Sequence, residues 1–542
     1  MFQLLRDLRS YQRAWLPGDL AAAVTVWAIV VPESVAYAGI AGMPPAVGLY
    51  VATVPLLVYA FAGSSRRVSF GPSATGAAVS AAAVAPLASD ADSFIELTIA
   101  LSMVVGLVLV LAFVLKLGIV AEFLSEPVLK GFVVGVAITV AGGQLGKMLG
   151  VESEGEGFIA ETVDLVRHLS DAHRLTIVVG AACIAALVVL ERFLPKLPSA
   201  LIVVVASIAA ARIFDLQDEG VALVGEIEAG LPSPVVPDVS WDDVLSLIPG
   251  ALGVAIVIFG ESMALAKSFG ARHGERVDAN AELGALGAAN TVGGLFGGFA
   301  SIGSNSRTAA ADAAGQKTQV ASLLTGALLI LTMLFLTQLF EDLPEAALGA
   351  IIIHAVTGLI RFRPLIRLRE RSQVDFVAAA TTLGGVLLFD ILVGLAVGVG
   401  VSIVGMMRRA VRPRSVELGI DRDSDNFWAL GTEGVERIDG VVIMRFEAEL
   451  FFANVSVLRN TVLAAVEAQQ PSLLVIDAES ITHVDTTAAD ELDVLLDELV
   501  EQGIEVRFAR LERTVADTLR RCGVDLDDRV SDRVRDAIGP AT

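Results

Sequence analysis

The sequence predicts a polytopic α-helical membrane protein with fourteen transmembrane segments in a 7+7 inverted repeat, followed by an α/β domain outside the bilayer. Three observations carry this prediction. Hydrophobic residues make up 54% of the 542 and charged residues only 18%, with a mean hydropathy of +0.70; a soluble chain this long needs far more charge. Two short stretches, residues 69–82 (SFGPSATGAAVSAA) and 301–314 (SIGSNSRTAAADAA), match without a gap at an offset of 232. A second pair, residues 33–38 (ESVAYA) and 261–266 (ESMALA), matches at 228, as a duplicated unit requires. Beyond Arg414 the apolar runs give way to strand-like and helix-like segments in alternation.

In chain order, residues 1–18 form a charged N-terminal segment without a small-residue cleavage site, so it reads as retained rather than as a cleaved signal. The membrane region covers residues 19–411. Apolar runs predict spans at 19–41, 44–62, 70–88, 95–115, 127–148, 174–192 and 198–214 in the first half. The second half gives 244–268, 280–298, 301–316, 318–340, 343–360, 374–389 and 391–407. Positive charge fixes an expected orientation. Arg6, Arg9 and Arg13 precede the first span; Arg66 and Arg67, Lys116, and Arg192 with Lys196 follow the second, fourth and sixth. Lys267, Arg272 and Arg276, then Lys317, then the arginines of 361–371 and 408–414 continue the alternation. The opposite loops, at 90–92, 152–161 and 215–228, are acidic. The positive-inside rule then places both termini in the cytoplasm of a multi-pass protein of the cell (inner or plasma) membrane. Seven spans per half, an odd number, inverts one half against the other. Residues 412–542 form the cytoplasmic domain, with strands expected at 441–446, 473–476 and 504–508 and helices near 453–468, 486–501 and 513–521.

Several motifs then resemble the sulfate permease (SulP) family of anion transporters. Residues 32–50 (PESVAYAGIAGMPPAVGLY) resemble its first-span signature and residues 125–132 (SEPVLKGF) its fifth-span entry. Ser306-Arg307-Thr308 followed by residues 315–319 (GQKTQ) is similar to its tenth span. The tail, with residues 450–454 (LFFAN) and 477–488, resembles the STAS domain that follows such transporters. The resemblance implies a substrate-carrying core of spans 1–4 and 8–11, a gate of spans 5–7 and 12–14, and a homodimer. Substrates across such a family include sulfate, bicarbonate, chloride, oxalate and C4-dicarboxylates.

The interrupted third and tenth spans are the expected anion site. An anion at the bilayer midplane needs positive potential where water is absent, and two half-helix N-termini supply it through free N–H groups. Gly71 and Gly303 allow the backbone to turn, and Pro72 is tolerated near a helix start. Ser73, Ser304 and Ser306 carry hydroxyl donors, and Arg307 is the formal cation in their midst. The resemblance maps Glu33, Tyr37, Ser73, Ser304 and Arg307 onto substrate-lining positions. Ser73 stands where relatives often carry an aromatic, which implies a roomier or more polar pocket. Plainer readings stand beside these. Arg307 could pair a carboxylate such as Glu261, and Ser73 and Ser304 could be small packing residues.

Glu33 and Glu261 are the coupling-ion candidates, because a carboxylate in a low-dielectric site takes up and releases a proton readily. The alternatives are a salt bridge from Glu261 to Arg307 or Lys267, and a helix break capped by Glu33 beside Pro32. The expected activity is proton-coupled import of sulfate or a similar oxyanion by alternating access. The alternatives are a bicarbonate or C4-dicarboxylate symporter, coupled to protons or to sodium, and an uncoupled anion channel.

Other functions are argued against. The glycine-rich run at 293–298 lies inside an apolar span, where close helix packing accounts for it better than a nucleotide loop does. No Walker A or common hydrolase signature occurs, so the chain reads as neither an ATP-driven pump nor an enzyme. Cys183 and Cys522 lie far apart and the five histidines are dispersed, so no metal or other cofactor is expected. The net charge of −22 argues against a nucleic-acid partner. The expected partners are the small anion, the coupling ion, membrane lipids and a second copy of the chain. In the tail, Thr486 is either a helix cap or a regulatory phosphorylation site.

Overall fold

The computed structural model describes residues 8, 11–118, 125–151, 158–194, 198–225, 227, 229–421 and 426–539. Arg6, Arg9, Lys196, Glu228 and the acidic stretch 152–157 lie outside the described residues. The chain divides into two compact units, Met1–Ser402 and Ile403–Thr542.

In the first unit the helices are α1 (Leu16–Ile40), α2 (Pro45–Ala62), α3 (Ala74–Val84), α4 (Ala91–Val114), α5 (Glu126–Gly143), α6 (Leu145–Leu149), α7 (Phe158–Arg167), α8 (Arg174–Phe193) and α9 (Ser199–Ile213). They continue as α10 (Trp241–Arg272), α11 (Ala279–Leu295), α12 (Asn305–Ala313), α13 (Val320–Phe335), α14 (Glu345–Thr357), α15 (Phe362–Arg371), α16 (Gln373–Leu388) and α17 (Ile391–Val411), whose last residues belong to the second unit. Eight helical stretches among the described residues are long and apolar enough to cross a membrane. Helices α3, α9, α13 and α16 are apolar but shorter.

Packing sorts these helices into two groups. Helix α11 packs against α4 and α2, α10 against α4 and α3, and α13 against α1 and α2. In the other group α16 packs on α5, and α14 on α8 and α5. Small residues set the closeness of the first group. A Cβ on Gly106 of α4 would fall 2.3 Å from the Thr291 backbone nitrogen of α11, and one on Gly294 would fall 2.6 Å from Met103. Helices without side chains at the contact approach closely enough for dispersion to hold them where lipid offers no hydrophobic drive. The glycine-rich run is therefore a packing surface.

Two expected spans are broken as anticipated. Each opens with two residues of strand, β1 (Phe70–Gly71) and β2 (Ile302–Gly303), before a half-helix begins. Buried hydrogen bonds satisfy the irregular backbone, which the bilayer demands. Asn290 accepts from Ser301 N at 2.7 Å and donates to Ser301 O at 3.2 Å. Gln319 donates to Ser65 O and Val68 O, both at 3.0 Å. Asp19, fully buried, accepts from Lys317 N and from the N–H and hydroxyl of Thr318.

The second unit is a sheet ordered β4–β3–β6–β7–β8–β9, with β5 on β3. Its strands are β3 (Ser415–Asp421), β4 (Asn426–Ala429), β5 (Val435–Glu436), β6 (Val441–Phe446), β7 (Leu473–Asp477), β8 (Glu505–Ala509) and β9 (Val530–Ser531). Helices α18 (Val455–Gln469), α19 (Thr486–Glu501), α20 (Arg513–Arg521) and α21 (Val534–Ile538) connect or follow them. Strands β6 to β9 pair in parallel and β3 to β5 antiparallel. The continuous apolar run of β7, buried along its whole length, is what a two-sided parallel strand requires.

Candidate functional site

The two half-helices start side by side. Strands β1 and β2 pair antiparallel, Phe70 opposite Gly303 and Gly71 opposite Ile302. Ser304 N donates to Ser69 O at 2.9 Å, Ser69 N to the Thr308 hydroxyl at 3.0 Å, and Gly303 N to the Ser262 hydroxyl at 3.0 Å. Antiparallel strands leading directly into helices bring the starts of α3 and α12 together.

Ser73 caps α3, its hydroxyl accepting from Gly76 N, and Ser304 caps α12, accepting from Arg307 N. A capping hydroxyl accepts through a lone pair and keeps its own proton available for an anion. Helical bonding begins only at Ala77 N and Thr308 N, and Gly76 N and Arg307 N go to the caps, so only the earlier N–H groups of each first turn are not consumed within the helix. The caps are 231 residues apart, whereas the strands are 232 apart. The gapless alignment therefore slips by one at the helix start, where Pro72 is the extra residue. The backbone at Gly71 has φ +150°, and a Cβ there would lie 3.5 Å from Arg307 Nη2.

Arg307 is the centre of the site. It is 1% exposed, and its Nη1 donates to Glu33 Oε2 at 3.2 Å. Its Nε and Nη2 are buried without a hydrogen-bond partner among the described residues. Two orphaned guanidinium donors in a buried site represent an unmet demand for acceptors. Asn305 and Ser306, in the first turn of α12, are exposed, and the Ser306 hydroxyl lies 3.2 Å from that of Ser304. Tyr37 sits one turn beyond Glu33 on α1 and is buried.

Three plainer readings are corrected by the geometry. The carboxylate partner of Arg307 is Glu33, from α1, and not Glu261. Glu261 forms no salt bridge with Arg307 or Lys267 among the described residues; its Oε1 is buried and unpartnered, and Lys267 is exposed. Helix α1 also runs without interruption through Pro32, so Glu33 is an interior helical residue rather than the cap of a break. In the tail, Asp485 caps α19 by accepting from Ala488 N at 2.8 Å, and Thr486 is the exposed first helical residue.

Asp19, Asn290, Ser262 and Gln319, which hold the site's backbone, were not anticipated as site-forming residues. The available signal was the placement of a lone carboxylate or amide inside an apolar segment. A buried polar side chain there must be satisfied by something distant.

Such an arrangement, positive and hydrogen-bond-donating at an interruption of two apolar segments, defines a multi-pass membrane transporter of anions rather than an enzyme. Residues 16–382 match the sulfate permease family, and residues 434–537 match the STAS domain. The chain belongs to the sulfate permease family. It is 38% identical over 523 residues to a probable sulfate transporter of Mycobacterium tuberculosis (strain CDC 1551 / Oshkosh), covering 95% of this chain and 92% of that protein. It is 29% identical to the chloroplastic sulfate transporter 4.1 of Arabidopsis thaliana, over 97% of this chain and 79% of the relative. The fold is that of the murine Solute Carrier 26 family member A9 anion transporter in its inward-facing state, with a TM-score of 0.92 at 24% identity, covering 99% of this chain and 93% of the other.

Proposed function

We propose that the protein imports sulfate or a similar oxyanion together with protons, by alternating access across the cell membrane. The observation that carries this reading is the pair of buried, unpartnered donors on Arg307 beside two helix N-termini. A tetrahedral oxyanion offers several acceptor oxygens that such donors and the Ser73, Ser304 and Ser306 hydroxyls would meet, and charge-assisted hydrogen bonds are the strong ones. The relatives named as sulfate transporters support sulfate as the first substrate to test.

Proton coupling follows from the Glu33–Arg307 contact. When Glu33 is ionised it offsets the guanidinium charge and competes with the substrate for it. A proton on Glu33 removes that competition, so proton and anion favour each other's binding, and linkage makes the effect reciprocal. Glu261, one half-chain away, is a second proton-carrying carboxylate. The fourteen helical segments at the expected span positions support a 7+7 inverted repeat with both termini cytoplasmic, the first packing group acting as core and the second as gate. A homodimer and a regulatory role for the STAS domain complete the reading.

The test is uptake of labelled sulfate into proteoliposomes under an inward proton gradient, native protein against Glu33→Gln. Accumulation in the native protein, with only equilibration in the variant, is expected. No sulfate entry in native protein removes the sulfate assignment, and equal accumulation in the two removes Glu33 as the coupling group.

A further inference from the structure

Helix α15 (Phe362–Arg371) has chemistry that neither the transport site nor the helix packing uses. Ten residues span about 15 Å, half the thickness of a bilayer core, and the sequence FRPLIRLRER is too charged to be buried in lipid. Its inner face is settled: Leu365 is buried and packs with Leu368 against Val134 of α5 and Ala379 of α16. Its other faces are open. Phe362 and Ile366, one turn apart, are 48% and 59% exposed. Arg363, Arg367 and Arg371, spaced at successive turns, are also exposed. Among the described residues, none of Arg363, Arg367, Arg369 or Arg371 forms an ion pair. The segment 361–371 contains five arginines and one glutamate, in a chain whose net charge is −22.

We infer that α15 lies in the headgroup layer of the membrane and gathers anionic phospholipids around Arg363, Arg367 and Arg371, with Phe362 and Ile366 inserted at the acyl boundary. Three features require this combination. A helix with an apolar edge beside a basic face suits a membrane interface, because lipid satisfies the first and phosphate the second. Arginine matches phosphate oxygens bidentately and is more weakly hydrated than lysine, so it gives up less on leaving water. The connection also fixes the depth, since α15 joins two apolar helices, α14 and α16, and therefore emerges where they end. Because Leu365 anchors α15 to α5 and α16, anionic lipid bound here bears directly on the second packing group of the membrane unit.

The experiment places a fluorophore on Ile366→Cys in a full-length Cys183→Ala, Cys522→Ser background, reconstituted in phosphatidylcholine vesicles. Spin-labelled phosphatidylglycerol or spin-labelled phosphatidylcholine is then added at equal mole fraction and quenching is compared. Local enrichment predicts that the anionic quencher is more effective by at least about twofold, with the ratio falling as salt rises. Replacing Arg363, Arg367 and Arg371 with Gln should return the ratio to one, while replacing them with Lys should retain most of the preference. A ratio of one in the parent protein, no quenching by either lipid, or an unchanged ratio in the Gln variant would each overturn the inference.

Discussion

Arg307 Nη1 lies 3.2 Å from Glu33 Oε2 across 274 residues of sequence, while the remaining buried donors of the same guanidinium, Nε and Nη2, have no acceptor among the described residues. The pair therefore satisfies only part of a buried cation. Most of what can be tested about transport follows from this incomplete neutralisation.

Arg307→Ala should abolish saturable uptake, and Arg307→Lys should weaken it by at least about 30-fold, because a point charge cannot reproduce the lost planar donors. Arg307→Ala also leaves Glu33 buried without its partner, which costs about 3–5 kcal/mol. The double variant Arg307→Ala/Glu33→Gln should recover most of the thermal stability and none of the transport. Thermal unfolding in detergent, read alongside uptake, separates the two effects.

Anion affinity should fall as pH rises in the native protein, since an ionised Glu33 competes for Arg307. In Glu33→Gln that dependence should flatten, with affinity held at the low-pH value. Equilibrium binding of labelled anion across a pH series checks the sign. A variant that keeps the native slope would place the titrating group elsewhere, with Glu261 next.

Asn290→Ala should destabilise the fold by about 1–3 kcal/mol, because it strands Ser301 N and Ser301 O in the interior. Ser301 leads directly into β2, so uptake should fall with stability. Intact uptake in a destabilised protein would uncouple the Asn290–Ser301 hydrogen bonds from the site.

In the C-terminal unit, Asp485→Ala should cost about 1 kcal/mol, the usual value of a helix N-cap, while Thr486→Ala should be close to neutral. Thermal unfolding of the full-length variants distinguishes them. The opposite order would restore Thr486 as the capping residue.

Burial, together with the hydrogen bond donated to Asp19, pushes the Tyr11 phenol up to about 12. A folded-state value raised above the ordinary one contributes stability below about pH 10 that is lost as pH rises through about 12. Tyr11→Phe should remove this alkaline step. Tyrosinate absorbance in an alkaline titration of the two proteins measures it.

The tail shows how far local pattern reaches. The expected strand at 441–446 coincides with β6, and the helices expected at 486–501 and 513–521 coincide with α19 and α20. Each is a run whose periodicity is complete within itself. Strands β5 and β9, of two residues each, were not legible. A two-residue strand exists only because a neighbour offers hydrogen bonds, and no periodicity can be read from it. The cap of α19 was misassigned for a related reason: Asp485 and Thr486 are both good capping residues, and only the backbone geometry selects between them.

By itself the sequence determined the membrane character, the positions of the long apolar helices among the described residues, the two interrupted segments and the α/β tail. Hydropathy, glycine and proline act through local solvation and local backbone freedom, and both are written residue by residue. The tertiary structure alone decided which carboxylate meets Arg307, which strand residues face each other, and where Asp19 and Asn290 spend their hydrogen bonds. Those outcomes depend on which distant groups packing brings within about 3 Å. A buried charge takes whatever partner the fold delivers, and in this chain the fold delivers Glu33 to one donor and leaves two donors of Arg307 unpartnered.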